Sequence, residues 1–218
     1  MIIAIDGPAG SGKSTVSKIL AKRLGFKYVD TGAIYRAVTL KVIQDGLNLD
    51  DEEKICKLID NTTIELNETN GSFSILLDGV DVTKEIRSPD VTSKIFFVSN
   101  KASIRGKLVG LQKDCAKEVD AVVEGRDIGT VIFPDAENKF FLNADVGERA
   151  KRRFSEVKDQ DASAKLKDVY DNIKKRDKSD STRKVAPLRP AEDAINIDTT
   201  NMSLEEVVDD ILKKLGKL

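Results

Sequence analysis

The chain has 218 residues, with 36 Lys and Arg against 37 Asp and Glu, so its formal net charge at pH 7 is −1. Charges balanced this closely provide no overall field that would attract nucleic acid or an anionic membrane surface. The chain has no histidine, which excludes histidine acid–base catalysis and histidine metal ligands but is compatible with phosphoryl transfer, because that reaction depends mainly on positioning and on cations around the phosphates.

The cysteines and the N-terminal sequence indicate the cellular compartment of the protein. Cys56 and Cys115 are the two cysteines, and their spacing is not that of a metal site, which suits a reducing compartment. Residues 1–6 lack the basic start and the apolar length of a signal peptide, and no apolar stretch is long enough to cross a bilayer. We therefore expect a cytoplasmic protein with no membrane partner.

The first predicted strand and helix enclose a phosphate-binding motif. Residues 2–5 are predicted to form a buried strand and residues 13–24 a helix, and the sequence between them follows the pattern G-x-x-x-x-G-K-[ST]. The amides of such a loop and of the first helical turn point at a polyphosphate. Lys13 would reach the outer phosphates, and the Ser14 hydroxyl would bind Mg²⁺. The predicted nucleoside triphosphate-binding residues are Gly7, Pro8, Ala9, Gly10, Ser11, Gly12, Lys13, Ser14 and Thr15.

A second strand is predicted over residues 26–29, followed by a helix to about Gln44 and a short helix over 51–60. The spacing of apolar residues then changes from a helical period to the alternation typical of strands. The three strand-like segments cover residues 63–66, 73–77 and 80–82. Asn70-Gly71 and Asp78-Gly79 separate them, and these dipeptides between apolar runs are strong hairpin signals. We therefore predict an antiparallel insert within about 46–90.

The remainder of the chain alternates helices with strands. Helices are predicted over 90–117, around the basic residues Arg149, Lys151, Arg152 and Arg153, over 163–178 and from Ser203 onward. Strands are predicted over 120–123, 139–142 and 194–197. This alternation predicts an α/β fold with a parallel sheet and helical crossovers, in a single domain over 1–218.

Polar residues follow three predicted strands at the point where each strand ends. They are Asp6-Gly7, Asp30-Thr31-Gly32 and Glu124-Gly125-Arg126-Asp127. Ligands of open α/β sheets bind outside the carboxyl ends of the strands, so these groups should share an edge with the phosphate-binding loop. Arg126 and Asp127 could instead form an ordinary surface ion pair, but their place at a strand end favours a functional role.

A second polar cluster covers residues 176–183. A run of charges is usually a solvated face, but this one precedes Pro187 and Pro190 and accompanies the arginine-rich helix around Arg152. The segment between them could move as a lid. A lid excludes water during phosphoryl transfer, so that the donor is not wasted by hydrolysis.

Together these motifs resemble those of the bacterial cytidylate kinases, a family of nucleoside monophosphate kinases, over essentially the whole chain. The resemblance is carried by IDGPAGSGKST (5–15), DTGAIYRA (30–37), EGRDIGTVIFPDA (124–136), ERAKRR (148–153), RDKSDSTRKVAPLRPAEDA (176–194) and the insert at 60–87, which ends in DVTKEIR. The insert distinguishes this family from the shorter adenylate-type kinases.

The resemblance implies a P-loop kinase core with helices on both faces of the sheet, a monophosphate-binding insert over 46–90 and a helical lid over 148–186. The implied reaction is ATP-dependent phosphorylation of CMP, and of dCMP, to the diphosphate with Mg²⁺. ATP and CMP or dCMP would be the partners of a monomeric enzyme that binds no nucleic acid.

The resemblance also implies roles for individual residues. The implied acceptor-site residues are Thr31, Tyr35, Arg36, Arg105, Arg126, Asp127 and Asp180, the implied catalytic residues are Lys13, Arg126, Arg176 and Arg183, and the implied lid residues are Arg149 and Arg153. Among them, the ligands of the CMP phosphate would be Arg36 and Arg126, the readers of cytosine Arg105 and Asp127, and the contacts to the sugar and the transferring phosphate Arg176, Asp180 and Arg183.

Two positions depart from the family pattern. Thr31 stands where Ser is also common, a change that keeps the hydroxyl, and Phe96 stands where members often have a hydroxyl residue near the base. The remaining base readers suit cytosine chemically. Asp127 would accept from the exocyclic amine of cytosine, and Arg105 would donate to the ring acceptors. Uracil would instead place a carbonyl opposite the carboxylate.

Three other functions remain open from the residues. The first is a kinase for UMP, AMP or a small metabolite. The second is a GTP-hydrolysing switch, but the candidate guanine-reading segments at 100–103 and 138–141 lack the Asp of the N-K-x-D pattern. The third is a nucleic-acid-binding ATPase, which the balanced charge and the 5% aromatic content disfavour.

Overall fold

The computed structural model describes residues 1–69, 72–158 and 163–218. Its strands are β1 (Ile2–Asp6), β2 (Lys27–Asp30), β3 (Ile64–Thr69), β4 (Ser72–Leu77), β5 (Val80–Asp81), β6 (Ala121–Gly125), β7 (Asn138–Asn143) and β8 (Ile195–Asp198). Its α-helices are α1 (Lys13–Leu24), α2 (Thr31–Gln44), α3 (Glu52–Asp60), α4 (Pro89–Ser99), α5 (Ala102–Asp114), α6 (Val146–Lys158), α7 (Leu166–Thr182) and α8 (Leu204–Lys214). A 3₁₀ turn (Glu85–Arg87) precedes α4, and a π-helical turn (Ile128–Ile132) follows β6.

Five strands form a parallel sheet in the order β2-β6-β1-β7-β8. In the central strand β1, Ile3 is paired with Val122 of β6 on one side and with Asn138 of β7 on the other. Parallel neighbours need crossover connections, which place helices on the faces of the sheet. The predicted parallel α/β core is therefore confirmed, and the carboxyl ends of β1, β2 and β6 lie at one edge.

Alternate residues of β1 pack on opposite faces of the sheet, as the pleat requires. On one face, Ile5 joins a buried cluster with Leu20 of α1 and Ile211 of α8. On the other face, Ala4 packs in a cluster with Ile128 of the π-helical turn. Because both faces of β1 are covered, Ile3, Ala4 and Ile5 form one continuous buried run.

The predicted antiparallel insert is a three-stranded sheet in the order β3-β4-β5. Asp78 and Gly79 connect β4 to β5 with φ values of 51° and 79°, and positive φ at both central residues is the type I′ hairpin that an Asp-Gly sequence favours. The other predicted turn, Asn70-Gly71, lies outside the described residues. Ile75 of β4 packs in one buried cluster with α2, α3 and α4, which attaches the insert to the helices beside the main sheet.

The helix predicted over 90–117 is instead two helices, α4 and α5. Asn100 ends α4, and Lys101 has extended backbone angles, φ −89° and ψ 124°. Across the break, the Arg105 Nη1 atom donates to the Ser99 carbonyl at 3.1 Å. Weak helix formers do not cause it, since Gly106 and Gly110 both lie inside α5.

Helix α2 ends at Gln44 as predicted, whereas α7 is displaced from its predicted bounds. Helix α2 begins at Thr31, directly after β2, because the Asp30 carboxylate accepts a capping hydrogen bond from the Ala33 amide at 3.1 Å. Helix α7 was expected over 163–178 but begins and ends later, at Leu166 and Thr182. Across the three described ranges, none of the helices combines the length and the apolar character that a membrane span requires.

Candidate active site

The loop between β1 and α1 is packed too tightly for side chains at its glycines. A Cβ atom at Gly7, where φ is 150°, would lie 2.0 Å from the Leu142 carbonyl oxygen. At Gly10, where φ is 77°, it would lie 2.9 Å from the Arg149 carbonyl oxygen. The loop is therefore held between the end of β7 and the start of α6. This position leaves its amides and the N-terminus of α1 at the carboxyl edge of the sheet, where an anion would be favoured.

Lys13 is folded back over the loop. Its Nζ atom donates to the Pro8 carbonyl at 2.7 Å and lies 3.4 Å from the Ser11 Oγ atom. The residue is only 5% exposed. Burial, and secondarily the positive charge of Arg126, lowers the pKa of Lys13 to about 7. A phosphate anion beside this ammonium would favour its charged form.

Glu124 was predicted to lie at a strand end without a specific role, and in the structure it lies directly against the P-loop. Its Oε2 atom accepts from the Ser14 hydroxyl at 2.9 Å, and its Oε1 atom accepts from the Tyr28 hydroxyl. Burial, followed by the nearby charge of Asp30, raises the pKa of Glu124. The signal that could have found it is a carboxylate ending the strand next to β1 in a P-loop protein.

Helix α2 presents the residues of the DTGAIYRA motif along this edge. Thr31, at its first position, donates from its hydroxyl to the Glu124 carbonyl at 2.8 Å, which fixes α2 to β6. Asp30, the capping residue of α2, also accepts from the Arg87 guanidinium at 3.1 Å. The start of α2 is thus attached both to the main sheet and to the 3₁₀ turn before α4.

A cavity of about 40 Å³ lies beside these residues. It is lined by Thr31, Tyr35, Ile95, Ser99, Arg105, Gly125, Arg126, Asp127, Arg176, Asp180 and Arg183. The structure therefore brings together every predicted acceptor-site residue except Arg36, along with the predicted catalytic residues Arg176 and Arg183.

Asp127 lies between two guanidinium groups at one end of the cavity. Arg105 forms a direct ion pair with its Oδ2 atom, and the Arg183 Nη2 atom is 3.4 Å from its Oδ1 atom. The Arg105 guanidinium also stacks over the Tyr35 ring, 5.2 Å from the centroid. Its buried Nε atom has no hydrogen-bond partner among the described residues, so Arg105 retains a donor for a ligand.

Asp180, which also lines the cavity, lies among three arginines. Its Oδ2 atom accepts from the Arg126 Nε atom at 3.1 Å, while Arg176 and Arg183 each approach a carboxylate oxygen at 3.9 Å. Burial disfavours the Asp180 carboxylate, but these three positive charges outweigh it and lower the pKa. Asp180 thereby holds the guanidinium groups in one cluster, next to Lys13.

Arg36 lies outside the cavity lining. Its Nη1 atom donates to the Thr92 hydroxyl at 2.9 Å and to the Ile86 carbonyl at 3.3 Å, which joins α2 to α4 and to the 3₁₀ turn. A role for Arg36 at the acceptor phosphate stays a prediction.

The two predicted lid arginines differ in their surroundings. Arg149 is buried against the P-loop, where its Nη1 atom donates to the Ala9 carbonyl at 3.0 Å and to Asp177 of α7 at 2.6 Å. Arg153 is half-buried and pairs with Glu156 at 2.7 Å. The predicted lid over 148–186 contains α6 and α7, which pack on each other, while residues 159–162 within it lie outside the described chain.

Phe96, which departs from the family pattern, is 37% exposed and is not among the residues that line the cavity. Its ring packs on Phe97, with 3.9 Å between centroids. The wall that α4 contributes to the cavity consists of Ile95 and Ser99. A hydroxyl is therefore available from α4 one turn beyond Phe96.

Comparison with known proteins agrees with the P-loop and the cavity. Residues 3–217 match the family model described as cytidylate kinase. A protein named cytidylate kinase from Caldicellulosiruptor saccharolyticus is 50% identical over 216 residues, which cover 99% of this chain and 96% of that protein. Proteins of the same name from Geobacillus sp. (strain WCH70) and Caldanaerobacter subterraneus subsp. tengcongensis are 49% and 48% identical, over 97% and 99% of this chain and 94% of each relative.

These matches extend over nearly the whole chain, so they include the P-loop, the insert and all the residues around the cavity. The family consists of phosphotransferases, in agreement with the phosphate-binding loop and the arginine cluster beside it. The chain belongs to the cytidylate kinase family.

Proposed function

We propose that this protein transfers the γ-phosphoryl group of ATP to CMP, and also to dCMP, with Mg²⁺. The observation that supports this most directly is the cavity beside the P-loop, whose lining combines the Asp127–Arg105 ion pair with the arginines around Asp180. A nucleoside monophosphate has two matching parts, a neutral base with donors and acceptors and a doubly charged phosphate.

The base end of the cavity suits cytosine. Asp127, paired with two guanidiniums, offers acceptors for the exocyclic amine of cytosine, and the Nε atom of Arg105 offers a donor for a ring acceptor. Uracil would place a carbonyl against the carboxylate, leaving two acceptors opposed. Buried polar groups without partners carry a free-energy cost, so such a site discriminates strongly.

The phosphate end suits phosphoryl transfer. Guanidinium groups bind phosphate oxygens bidentately, and Arg126, Arg176 and Arg183 converge within 4 Å of one carboxylate, that of Asp180. We assign Arg126, together with Arg36, to the acceptor phosphate. Arg176 and Arg183 would stabilise charge on the transferring group and contact the sugar with Asp180, while Lys13 would neutralise charge on the donor phosphates.

Ser14 and Glu124 fit a magnesium ion at the P-loop. Their side-chain oxygens lie 2.9 Å apart at the start of α1, and hard oxygen donors with few protein ligands are what Mg²⁺ prefers. When bound, Mg²⁺ would supply positive charge to the β- and γ-phosphate oxygens. Ser14 and Glu124 would hold it, and Lys13 would reach the same phosphates from the loop.

The cavity is small enough to imply movement. Its volume of about 40 Å³ is far below the roughly 300–1,000 Å³ of ordinary small-molecule sites. Its walls come from the edge of the main sheet and from α2, α4, α5 and α7, so CMP entry would separate some of these elements. We propose that the 46–90 insert and α4 form the acceptor wall and that the 148–186 region forms the lid.

Hydrogen exchange tests the proposed movement of the insert. With saturating CMP, amides of residues 82–90 and α4 are expected to exchange more slowly, because Arg36 joins this segment to α2 through Ile86 and Thr92. Helix α8, on the opposite face of the sheet, is the internal control and should not change. An absence of added protection anywhere in 46–90 would contradict a role for the insert in binding CMP.

Substitutions of the arginines test whether Arg126 acts on acceptor binding while Arg176 and Arg183 act on turnover. Arg126→Lys keeps the charge but loses the planar fork, so KM for CMP is expected to rise about tenfold with a small change in kcat. Arg176→Ala is expected to lower kcat by about 10²-fold, because it removes positive charge from the transition state. Lys175→Ala, an exposed neighbour on α7, is the control. An Arg176→Ala or Arg183→Ala enzyme with raised KM and unchanged kcat would contradict the assignment of these arginines to the transition state.

The proposed reaction is tested by supplying ATP and Mg²⁺ with CMP, dCMP, UMP, AMP and small metabolites in separate assays. CMP and dCMP are expected to give diphosphate products with the highest kcat/KM. Preference for a different acceptor would assign the site to another monophosphate or metabolite. ATP hydrolysis without any acceptor product would support the switch or ATPase alternative instead.

A further inference from the structure

Tyr28 connects the inserted sheet to the carboxylate beside the P-loop. It lies on β2, is 3% exposed, and donates from its hydroxyl to the Glu124 Oε1 atom. The other oxygen of the same carboxylate accepts from the Ser14 hydroxyl at 2.9 Å. Tyr28 thus holds the Oε1 atom of Glu124, while the Oε2 atom of the same carboxylate faces Ser14.

The Tyr28 ring is itself fixed by the insert. Phe73 of β4 packs edge-on against it, with 5.5 Å between centroids and 75° between planes. Phe73 contacts both the cluster of the insert and the cluster of the main sheet, so it joins the two. The Lys18 ammonium lies 5.5 Å from the centroid of the same ring.

The Tyr28 hydroxyl has one proton, and it donates that proton to the Glu124 Oε1 atom. A carboxylate with a single hydrogen bond can rotate about its last torsion, whereas one held at both oxygens has a fixed plane. Partners of this kind orient metal ligands, and their loss commonly weakens metal binding.

We propose that Tyr28 is a positioning residue, whose hydroxyl fixes Glu124 so that its Oε2 atom faces Ser14 and the bound cation, and that Phe73 of the insert holds Tyr28 in that position. The inference rests on the proposed function in one respect, that Ser14 and Glu124 hold Mg²⁺. The insert would then have two roles. It would form part of the acceptor wall, and through Phe73 it would support the magnesium site.

The test compares ADP binding with and without Mg²⁺ by calorimetry, so that no turnover is involved. In Tyr28→Phe, which removes only the hydroxyl, the gain in ADP affinity produced by Mg²⁺ is expected to fall about tenfold, while affinity without Mg²⁺ is unchanged. Tyr170→Phe, on α7, is the matched control and should keep the full gain. Phe73→Leu, which leaves the Tyr28 hydroxyl in place, should lose part of the gain.

A double-substitution cycle shows whether Tyr28 acts through Glu124. If it does, Tyr28→Phe has no further effect on the magnesium-dependent gain in a Glu124→Gln background. Equal losses of affinity with and without Mg²⁺ in Tyr28→Phe would overturn the inference, because a packing defect would explain them.

The same measurements separate this inference from the proposed function. If Tyr28→Phe keeps the wild-type gain while Glu124→Gln loses it, the role of Tyr28 is wrong and the magnesium site stands. If Glu124→Gln also keeps the gain, or if the wild type shows none, the proposed magnesium site itself is wrong.

Discussion

Lys13→Ala is expected to reduce kcat for phosphoryl transfer from ATP to CMP by about 10²- to 10³-fold, the usual loss when one electrostatic contact to a transition state is removed. Lys13 has the only side-chain ammonium that the P-loop sequence of residues 7–15 provides. Its position over the Pro8 carbonyl and Ser11 keeps it next to any phosphate in the loop.

The fold is expected to survive this substitution. The Pro8 carbonyl keeps a second donor, the Ser11 hydroxyl at 3.1 Å, so it is not left without a partner. Lys13→Met, which fills the buried volume without the charge, should lose as much activity as Lys13→Ala. Lys22→Ala, an exposed change on the same helix, should keep wild-type activity. Thermal unfolding of each variant checks the fold, and near-normal turnover by folded Lys13→Ala would contradict the assignment of the P-loop.

The loop around Lys13 could be predicted from sequence because its structure is set locally. The bounds predicted for the first helix, 13–24, are those of α1, and the left-handed conformations of Gly10 and Gly12 follow from residues close in sequence. The Asp78-Gly79 hairpin was likewise predictable, since two residues determine its turn type. Features of this kind depend on steric limits within a few residues.

Contacts across the sheet could not be predicted in the same way. Ser14 and Tyr28 meet on Glu124, which is 110 and 96 residues away from them in the chain. The parallel pairing of β2 with β6 sets that meeting, and no local pattern specifies which strands are neighbours. The break between α4 and α5 was missed for a similar reason, because a residue at the break has a long-range partner. The side-chain amide of Asn100 donates to the Ser179 hydroxyl of α7 at 2.7 Å.

Arg149 shows that placing two residues on the same helix does not determine which of them is buried. The sequence placed it with Arg153 on one basic helix, four residues apart and so on a common face. Only Arg149 faces the P-loop, because Gly10 allows its backbone to approach and Asp177 of α7 pairs with its guanidinium. Helical spacing predicts which residues share a face, but the packing partner decides which of them is buried.

Asp127→Asn is expected to shrink the preference for CMP over UMP. The amide of Asn can present a donor to the uracil carbonyl, whereas the carboxylate of Asp127 presents only acceptors. The loss of kcat/KM for CMP should correspond to about 1–3 kcal/mol, the usual value of one good contact to a base edge. Use of UMP should fall less or improve.

The structure adds a stability effect that the measurement must separate. Asp127 is the counter-ion of two buried guanidiniums, those of Arg105 and Arg183, and removing one partner of a buried ion pair is destabilising. Asp127→Asn is therefore expected to unfold at a lower temperature than the wild type, although the remaining side-chain oxygen can still accept a hydrogen bond. Asp135→Asn, an exposed change in the same sequence motif, should alter neither property.

The deciding quantity is the ratio of kcat/KM for CMP to that for UMP, measured at a temperature where both enzymes are folded. A general loss of stability lowers the amount of active enzyme and affects both substrates equally, so it cancels in this ratio. A lower ratio in Asp127→Asn would support Asp127 as the reader of the cytosine amine. An unchanged ratio would move base recognition to other residues, with Ser99 on the α4 wall as the next candidate, and equal use of CMP and UMP by the wild type would contradict the proposed specificity itself.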